Sequence, residues 1–116
     1  KIYDKAFFGT SVVPQKDATD SYSAYHLYVI QLENGTTPEI HANIFCSMRD
    51  AGIGVNLHYI PVHTQPHFKA LGFSDGDFPN ADQYYRRAMT IPLYTTLSNE
   101  NQEKIVNTLS KMVQFI

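Results

Sequence analysis

Histidine and tyrosine crowd most densely into one stretch, Gly52-Ile53-Gly54-Val55-Asn56-Leu57-His58-Tyr59-Ile60-Pro61-Val62-His63-Thr64-Gln65-Pro66. His58, Tyr59 and His63, with Gln65 beside them and His67 just beyond, supply ring nitrogens, a phenol and an amide. Such groups suit a polar uncharged or anionic ligand, for example a sugar nucleotide. Neutral imidazole also ligates zinc, and His63 and His67 would have ligand spacing on a helix. Pro66 stands between them, however, and no cysteine or acid lies close enough in sequence to complete a metal site. A purely structural role is equally compatible with the pattern, with Tyr59 filling a core and the histidines satisfying backbone carbonyls. His41, next to Ile40 on a helical pattern, reads as a surface or boundary residue.

Other chemistries lack their parts. There is no Gly-x-Ser-x-Gly elbow, and Cys46 has no evident catalytic partner. Gly52 and Gly54 precede a strand pattern rather than a helix, so they do not form a phosphate-cradling loop. The chain has eight tyrosines and seven phenylalanines, but its formal net charge of −2 gives no basic surface for nucleic acid. No apolar run approaches the roughly 18 residues needed to span a bilayer, and no signal peptide pattern is present. The single cysteine excludes an internal disulfide and fits a reducing cytoplasm. Cys46 lies mid-helix among apolar neighbours and reads as an inert core thiol.

The elements that must position these residues follow from periodicity. At 116 residues, 43% hydrophobic and 17% charged, the chain is one ordinary globular domain. Ile2, Tyr3, Ala6 and Phe7 have helical spacing before Gly9, with no initiator methionine. They read as the end of a helix whose start is missing, hence a domain cut from a longer protein, rather than a frayed end left by a removed tag. Ser11 to Ser23 is polar and reads as an exposed connector. Tyr25 to Leu32 is aromatic and β-branched on both faces, which predicts a central strand covered on each side. Thr37, Pro38 and Glu39 then open a helix as cap, first residue and dipole partner. Ile40, Ile44 and Met48 share its inner face with Phe45 beside them, and Gly52 ends it.

From Ile53 to Tyr59 apolar and polar residues alternate, which predicts a second strand ending before Pro61. Pro66 to Leu71 predicts short helical turns, and Asp75-Gly76 a turn. Pro79 to Ala88 predicts a short helix with Asp82, Arg86 and Arg87 exposed and Tyr84 and Tyr85 divided between core and rim. Met89 to Leu93 predicts a third, short strand interrupted by Pro92, hence at an edge or strand end. Ser98 caps a last helix whose buried stripe is Ile105, Leu109, Met112 and Ile116, widened by Val106 and Val113. The fold class is therefore α+β: a small three-stranded sheet covered by two long helices, with helices mostly on one face.

Several of these segments, in this order, carry a family resemblance. Ser23-Ala24-Tyr25-His26-Leu27-Tyr28, Gly52-Ile53, His58-Tyr59-Ile60-Pro61-Val62-His63 and Gln65-Pro66 are among them. Phe78-Pro79-Asn80-Ala81, Tyr84-Tyr85-Arg86-Arg87, Ile91-Pro92-Leu93-Tyr94 and Leu97-Ser98 continue the series. Together they resemble the C-terminal part of the DegT/DnrJ sugar aminotransferases over essentially the whole chain. His-Tyr-Ile-Pro-Val-His is most similar to the members that aminate a UDP-linked 4-keto-6-deoxy amino sugar in pseudaminic acid synthesis, proteins often labelled as spore coat polysaccharide biosynthesis proteins.

The resemblance implies a fold type I, pyridoxal-phosphate-dependent enzyme, normally homodimeric and cytoplasmic. A large N-terminal domain would carry the cofactor lysine, and residues 1–116 would be the small domain covering one side of the cleft. Glutamate would donate the amino group and a nucleotide-linked keto sugar would receive it. Tyr59 and His63 would face the cleft and hold the sugar nucleotide, supported by His58 and His26. The chain has no Gly-Glu-Gly-Gly-type loop after a lysine. Lys1, Lys5, Lys16, Lys69, Lys104 and Lys111 all lie in end, connector, turn or exposed helical contexts, so no bound cofactor and no activity are expected of this portion alone. Glu39 stands where relatives commonly have a basic residue. The alternative is a free-standing α+β module for small-ligand binding or dimerisation.

Overall fold

The computed structural model describes residues 2–114. Its central element is the strand β2, Tyr28–Leu32, flanked antiparallel by β1, Val12–Pro14, and β3, Ala88–Ile91. Residues directly opposite in an antiparallel pair share a face. The register sets Val12 beside Leu32, Ile30 beside Met89 and Tyr28 beside Ile91, giving one continuous apolar face. That face is buried with Ile44 and Met48 of α2, Pro38–Asp50, and Ile105, Leu109 and Val113 of α5, Asn99–Val113. The alternate set, Val13, Val29 and Gln31, points the other way and is half-buried or exposed. Ala88 and Thr90 share that second face and are buried, so the sheet is fully covered on one side and partly covered on the other, where cover on both was expected.

Three further helices complete the α+β fold: α1, Ile2–Ala6, α3, Pro66–Ala70, and α4, Pro79–Arg87. Tyr3 of α1 packs its ring at a tilt of 52° against Tyr28, with centroids 5.0 Å apart, and donates from its hydroxyl to the Pro92 carbonyl at 2.8 Å. Burial pushes that phenol up to about 12. α2 opens as its sequence dictates: Thr37 accepts from the Ile40 N–H at 3.3 Å and Pro38 is the first helical residue. The carboxyl of Glu39 is held below its usual range by its own backbone N–H and then by the Thr37 hydroxyl, so the residue serves the helix start. Gly52, at φ +77°, ends the helix in the left-handed conformation that glycine adopts without strain. No described helix is long and apolar enough to cross a membrane.

Four expectations are corrected. The polar connector contains β1, a three-residue edge strand with Pro14 at its end, where no ladder donor is needed. β2 begins at Tyr28 rather than Tyr25 because Tyr25 has φ +49°, outside the extended region. Ile53 to Tyr59 is not a strand: only Asn56 pairs, with Thr90, through bonds of 3.1 and 2.8 Å. The Val55 N–H turns back to Ile53 O at 3.0 Å, and the Leu57 N–H is taken by the Asn56 side chain at 2.8 Å. The next bonded pair in that register would join Gly54 to Pro92, which has no N–H to give. The alternation still sends Ile53 and Val55 into the core.

The fourth correction concerns two side chains on α2. Cys46 is exposed, because the buried stripe runs through His41, Ile44 and Met48. His41 is only 8% exposed and bonds through Nε2 to the Ala88 carbonyl at 3.0 Å, joining α2 to the start of β3. In α5, Leu109 is fully buried and Met112 is half-buried, while Ile116 and Lys1 lie outside the described residues. Replacing Leu109 with alanine is expected to lower the unfolding free energy by about 2–5 kcal/mol. Cys46→Ser should change it by less than about 0.5 kcal/mol. Denaturant melts measure both, and rapid thiol labelling of the folded protein checks the exposure of Cys46.

Candidate functional site

The segment after α2 is anchored at its start and displayed at its end. Ile53 and Val55 plug into the core, and Asn56 clips to Thr90 on the outer edge of β3. Thr90 is the polar residue in an otherwise apolar strand, and it faces away from the core stripe. Its hydroxyl lies 2.8 Å from His58 Nδ1. On the other side of the ring, Asn56 Nδ2 is 3.4 Å from Nε2. The Leu57 N–H fixes the Asn56 amide by donating to its oxygen. The amide NH₂ therefore faces Nε2, and the Thr90 hydroxyl faces Nδ1. His58 is thus a held side chain, oriented by two neighbours. The His58–Tyr59 peptide bond is cis.

His58 lies on a cleft of about 490 Å³ between this segment, the end of β3 and the first turns of α5. Its polar wall includes His26, Asn56, Thr90, Asn101 and Lys104, and its apolar wall includes Leu93, Leu97 and Ile105. No carboxylate side chain is among the lining residues. Lys104 makes no ion pair among the described residues. The cleft therefore combines a cation, two imidazoles and hydrogen-bonding amides, which favours an anionic or polar ligand.

The sequence-derived quartet does not converge as a unit. His26 and His58 line this cleft. Tyr59 stands at its margin, 74% exposed, with its ring edge-on to His58 at 4.8 Å. His63, expected to face the cleft with Tyr59, turns inward instead and is 5% exposed. The 3-10 turn Val62–Thr64 swings its ring onto Phe78, 5.0 Å away, in a second, apolar hollow of about 350 Å³ with Val62, Phe68 and Phe73. Its Nε2 lies 3.0 Å from Asp82 Oδ1, off the axis of a proper hydrogen bond. Asp82, expected on the exposed face of α4, is only 13% exposed in consequence.

His67 is exposed on α3 and stacks edge-on against Phe68. The described residues contain no group of three or more histidine, cysteine or acidic side chains placed to hold a metal ion. Sequence reasoning missed Thr90, Asn56 and Asp82. Thr90 had a usable signal, a hydroxyl interrupting Ala-Met-x-Ile, whereas Asp82 looked like an ordinary acid in the first turn of a helix.

A three-stranded antiparallel sheet with helices is the architecture of the C-terminal small domain of aminotransferase structures. The family model for the DegT/DnrJ/EryC1/StrS aminotransferases matches residues 1–110, and the chain belongs to that family. It is 32% identical over 97 residues to the spore coat polysaccharide biosynthesis protein SpsC of Bacillus subtilis (strain 168), covering 82% of this chain and 25% of that protein. The putative sugar aminotransferase Spr1654 from Streptococcus pneumoniae, in its PMP form, superposes with a TM-score of 0.91 at 30% identity. That match covers 98% of this chain and 29% of the solved one. Helicobacter pylori PseC, an aminotransferase involved in the biosynthesis of pseudoaminic acid, shares the fold with a TM-score of 0.87 at 22% identity, over 99% of this chain and 31% of that one. The chain thus spans between a quarter and a third of the length of these relatives.

Thr90→Val keeps the shape of the side chain and removes the hydroxyl that holds His58. It is expected to lower stability by about 1 kcal/mol and to free the imidazole, read as a shift of the His58 ring resonances in NMR spectra.

Proposed function

We propose that this chain is the C-terminal small domain of a pyridoxal-phosphate-dependent sugar-nucleotide aminotransferase, with its histidine-lined cleft forming one wall of the substrate site. The observation that carries this reading is the superposition, over 98% of the chain at 30% identity, on a sugar aminotransferase solved in its PMP and PLP forms. The amino donor is glutamate, and the acceptor is a nucleotide-linked 4-keto-6-deoxy sugar destined for a cell-surface polysaccharide or glycan. The similarity to SpsC supports the polysaccharide context. The His58–His63 motif supports the finer assignment to a UDP-linked amino sugar of the pseudaminic acid type. The intact enzyme is a cytoplasmic homodimer.

The residues of this chain do not fit the covalent hold of the cofactor. Lys5, Lys16, Lys69, Lys104 and Lys111 are all exposed, and Lys69 is paired with Asp75 at 3.0 Å. The cofactor and its lysine accordingly belong to the rest of the enzyme, and this portion alone is inactive. What it contributes is binding and orientation. His58 presents a ring held between Asn56 and Thr90, His26 and Lys104 add groups suited to an oxyanion, and the exposed Tyr59 stands at the margin of the cleft.

The coding sequence upstream of Lys1 provides the first test. A domain with a lysine followed by a Gly-Glu-Gly-Gly-like loop is expected, and a start codon within a few residues of Lys1 would favour a free-standing module. In the full-length enzyme, glutamate should change the cofactor's absorbance and a nucleotide-linked keto sugar should reverse the change; a static spectrum would sink the transaminase reading. Tyr59→Phe is expected to weaken kcat/KM for the sugar nucleotide by about 1–3 kcal/mol, mainly through KM. Unchanged kinetics would remove that hydroxyl from the binding role.

A further inference from the structure

We infer that Asp82 is a positioning residue, a carboxylate tie that holds the Tyr59–Gln65 loop at the cleft margin by gripping His63 from inside. The two oxygens of the carboxylate serve different segments. Oδ1 lies 3.0 Å from His63 Nε2, and Oδ2 accepts the Gly76 N–H at 3.0 Å. The two segments meet nowhere else through a side-chain polar contact among the described residues.

Each segment is stiff enough to transmit the restraint. The Thr64 hydroxyl and backbone N–H both donate to Pro61 O, at 2.8 and 3.0 Å, and the Gln65 N–H donates to Val62 O at 3.1 Å. Holding the His63 ring therefore fixes the turn and, through the buried Pro61, the chain leading back to Tyr59. On the other side, Gly76 sits at φ +93°, in a turn closed by Asp77 Oδ2 accepting the Ser74 N–H at 2.7 Å. α4, which carries Asp82, is itself pinned to the sheet. Arg87 at its far end donates to Gln31 of β2 at 3.0 Å and to Asn34. The path from β2 to the loop thus runs through Arg87, α4, Asp82 and His63.

Phe68, Phe73 and Phe78 form a small satellite cluster around the same hollow, with neighbouring rings 6.1–6.3 Å apart. Phe73 and Phe78 remain 40% and 48% exposed. So little buried apolar area leaves polar ties to define the geometry of the loop. Removing the charge leaves a buried imidazole facing an amide in place of a carboxylate.

The inference rests on the reading above where it concerns substrate, but the tie itself is measurable without any reaction. Hydrogen–deuterium exchange on the full-length protein compares wild type with Asp82→Asn, Asp82→Glu and His63→Asn. Asp82→Asn is expected to speed exchange about tenfold both in Tyr59–Gln65 and around Gly76, with α2 and α5 unchanged. His63→Asn should speed the first segment only, and Asp82→Glu, which keeps the carboxylate, should restore most of the protection. In kinetics with the sugar nucleotide, Asp82→Asn should raise KM about five- to tenfold with kcat within about twofold of wild type. Unchanged exchange in both segments overturns the tie, as does loss of protection in Asp82→Glu equal to that in Asp82→Asn. Altered exchange in a protein that transaminates no sugar nucleotide would uphold the tie and overturn the function proposed above.

Discussion

Burial of one face of a five-residue strand organises this domain. Tyr28, Ile30 and Leu32 have essentially no solvent exposure, and everything that covers them is fixed by that requirement. β1 and β3 extend the apolar face sideways, α2 and α5 lie over it, and Tyr3 packs its ring against Tyr28. A domain of this size has little core to spare, so each large side chain in the stripe carries a substantial share of the stability. The opposite face of the sheet is only partly covered, and that is where Thr90 meets His58.

The candidate site depends on this asymmetry. Thr90 is opposite in direction to its core-facing neighbours Met89 and Ile91, so its hydroxyl is free to orient an imidazole. The segment carrying that imidazole is held to the sheet by a single pair of backbone hydrogen bonds at Asn56 rather than by a ladder. A full strand would have aimed successive side chains strictly to alternate faces. A single bridge lets the chain leave the sheet immediately and distribute its groups between two hollows. His58 goes to the polar one, His63 goes to the apolar one, and Tyr59 stands outside both.

His63 shows how motif and role can separate. Its sequence context places it beside Tyr59 in the His58–His63 motif, yet its ring is packed on Phe78 with Nε2 3.0 Å from Asp82 Oδ1. A side chain of this kind acts through the loop it holds. The same holds for His41, whose ring joins α2 to the Ala88 carbonyl. Two of the chain's five histidines are thus internal ties, and the polar cleft takes another two, His26 and His58.

The sequence by itself determined the elements whose causes are local. Thr37-Pro38 and Ser98 start α2 and α5 because caps and dipoles act within one turn, and both side chains do accept the third residue's N–H. The α+β class, the central place of Tyr28–Leu32, the edge place of Ala88–Ile91 and the family were also legible, because periodic patterns and ordered motifs survive as text. The tertiary structure decided whatever depends on a distant partner. β1 exists because Leu32 and Ile30 offer it a ladder, and Val12-Val13-Pro14 alone is too short to declare itself. Ile53–Tyr59 loses its strand because Pro92, far along the chain, has no donor for Gly54. Asp82 and His63 reveal their pairing only when α4 is brought beside the loop, since electrostatic contact depends on distance in space and leaves no period in the sequence.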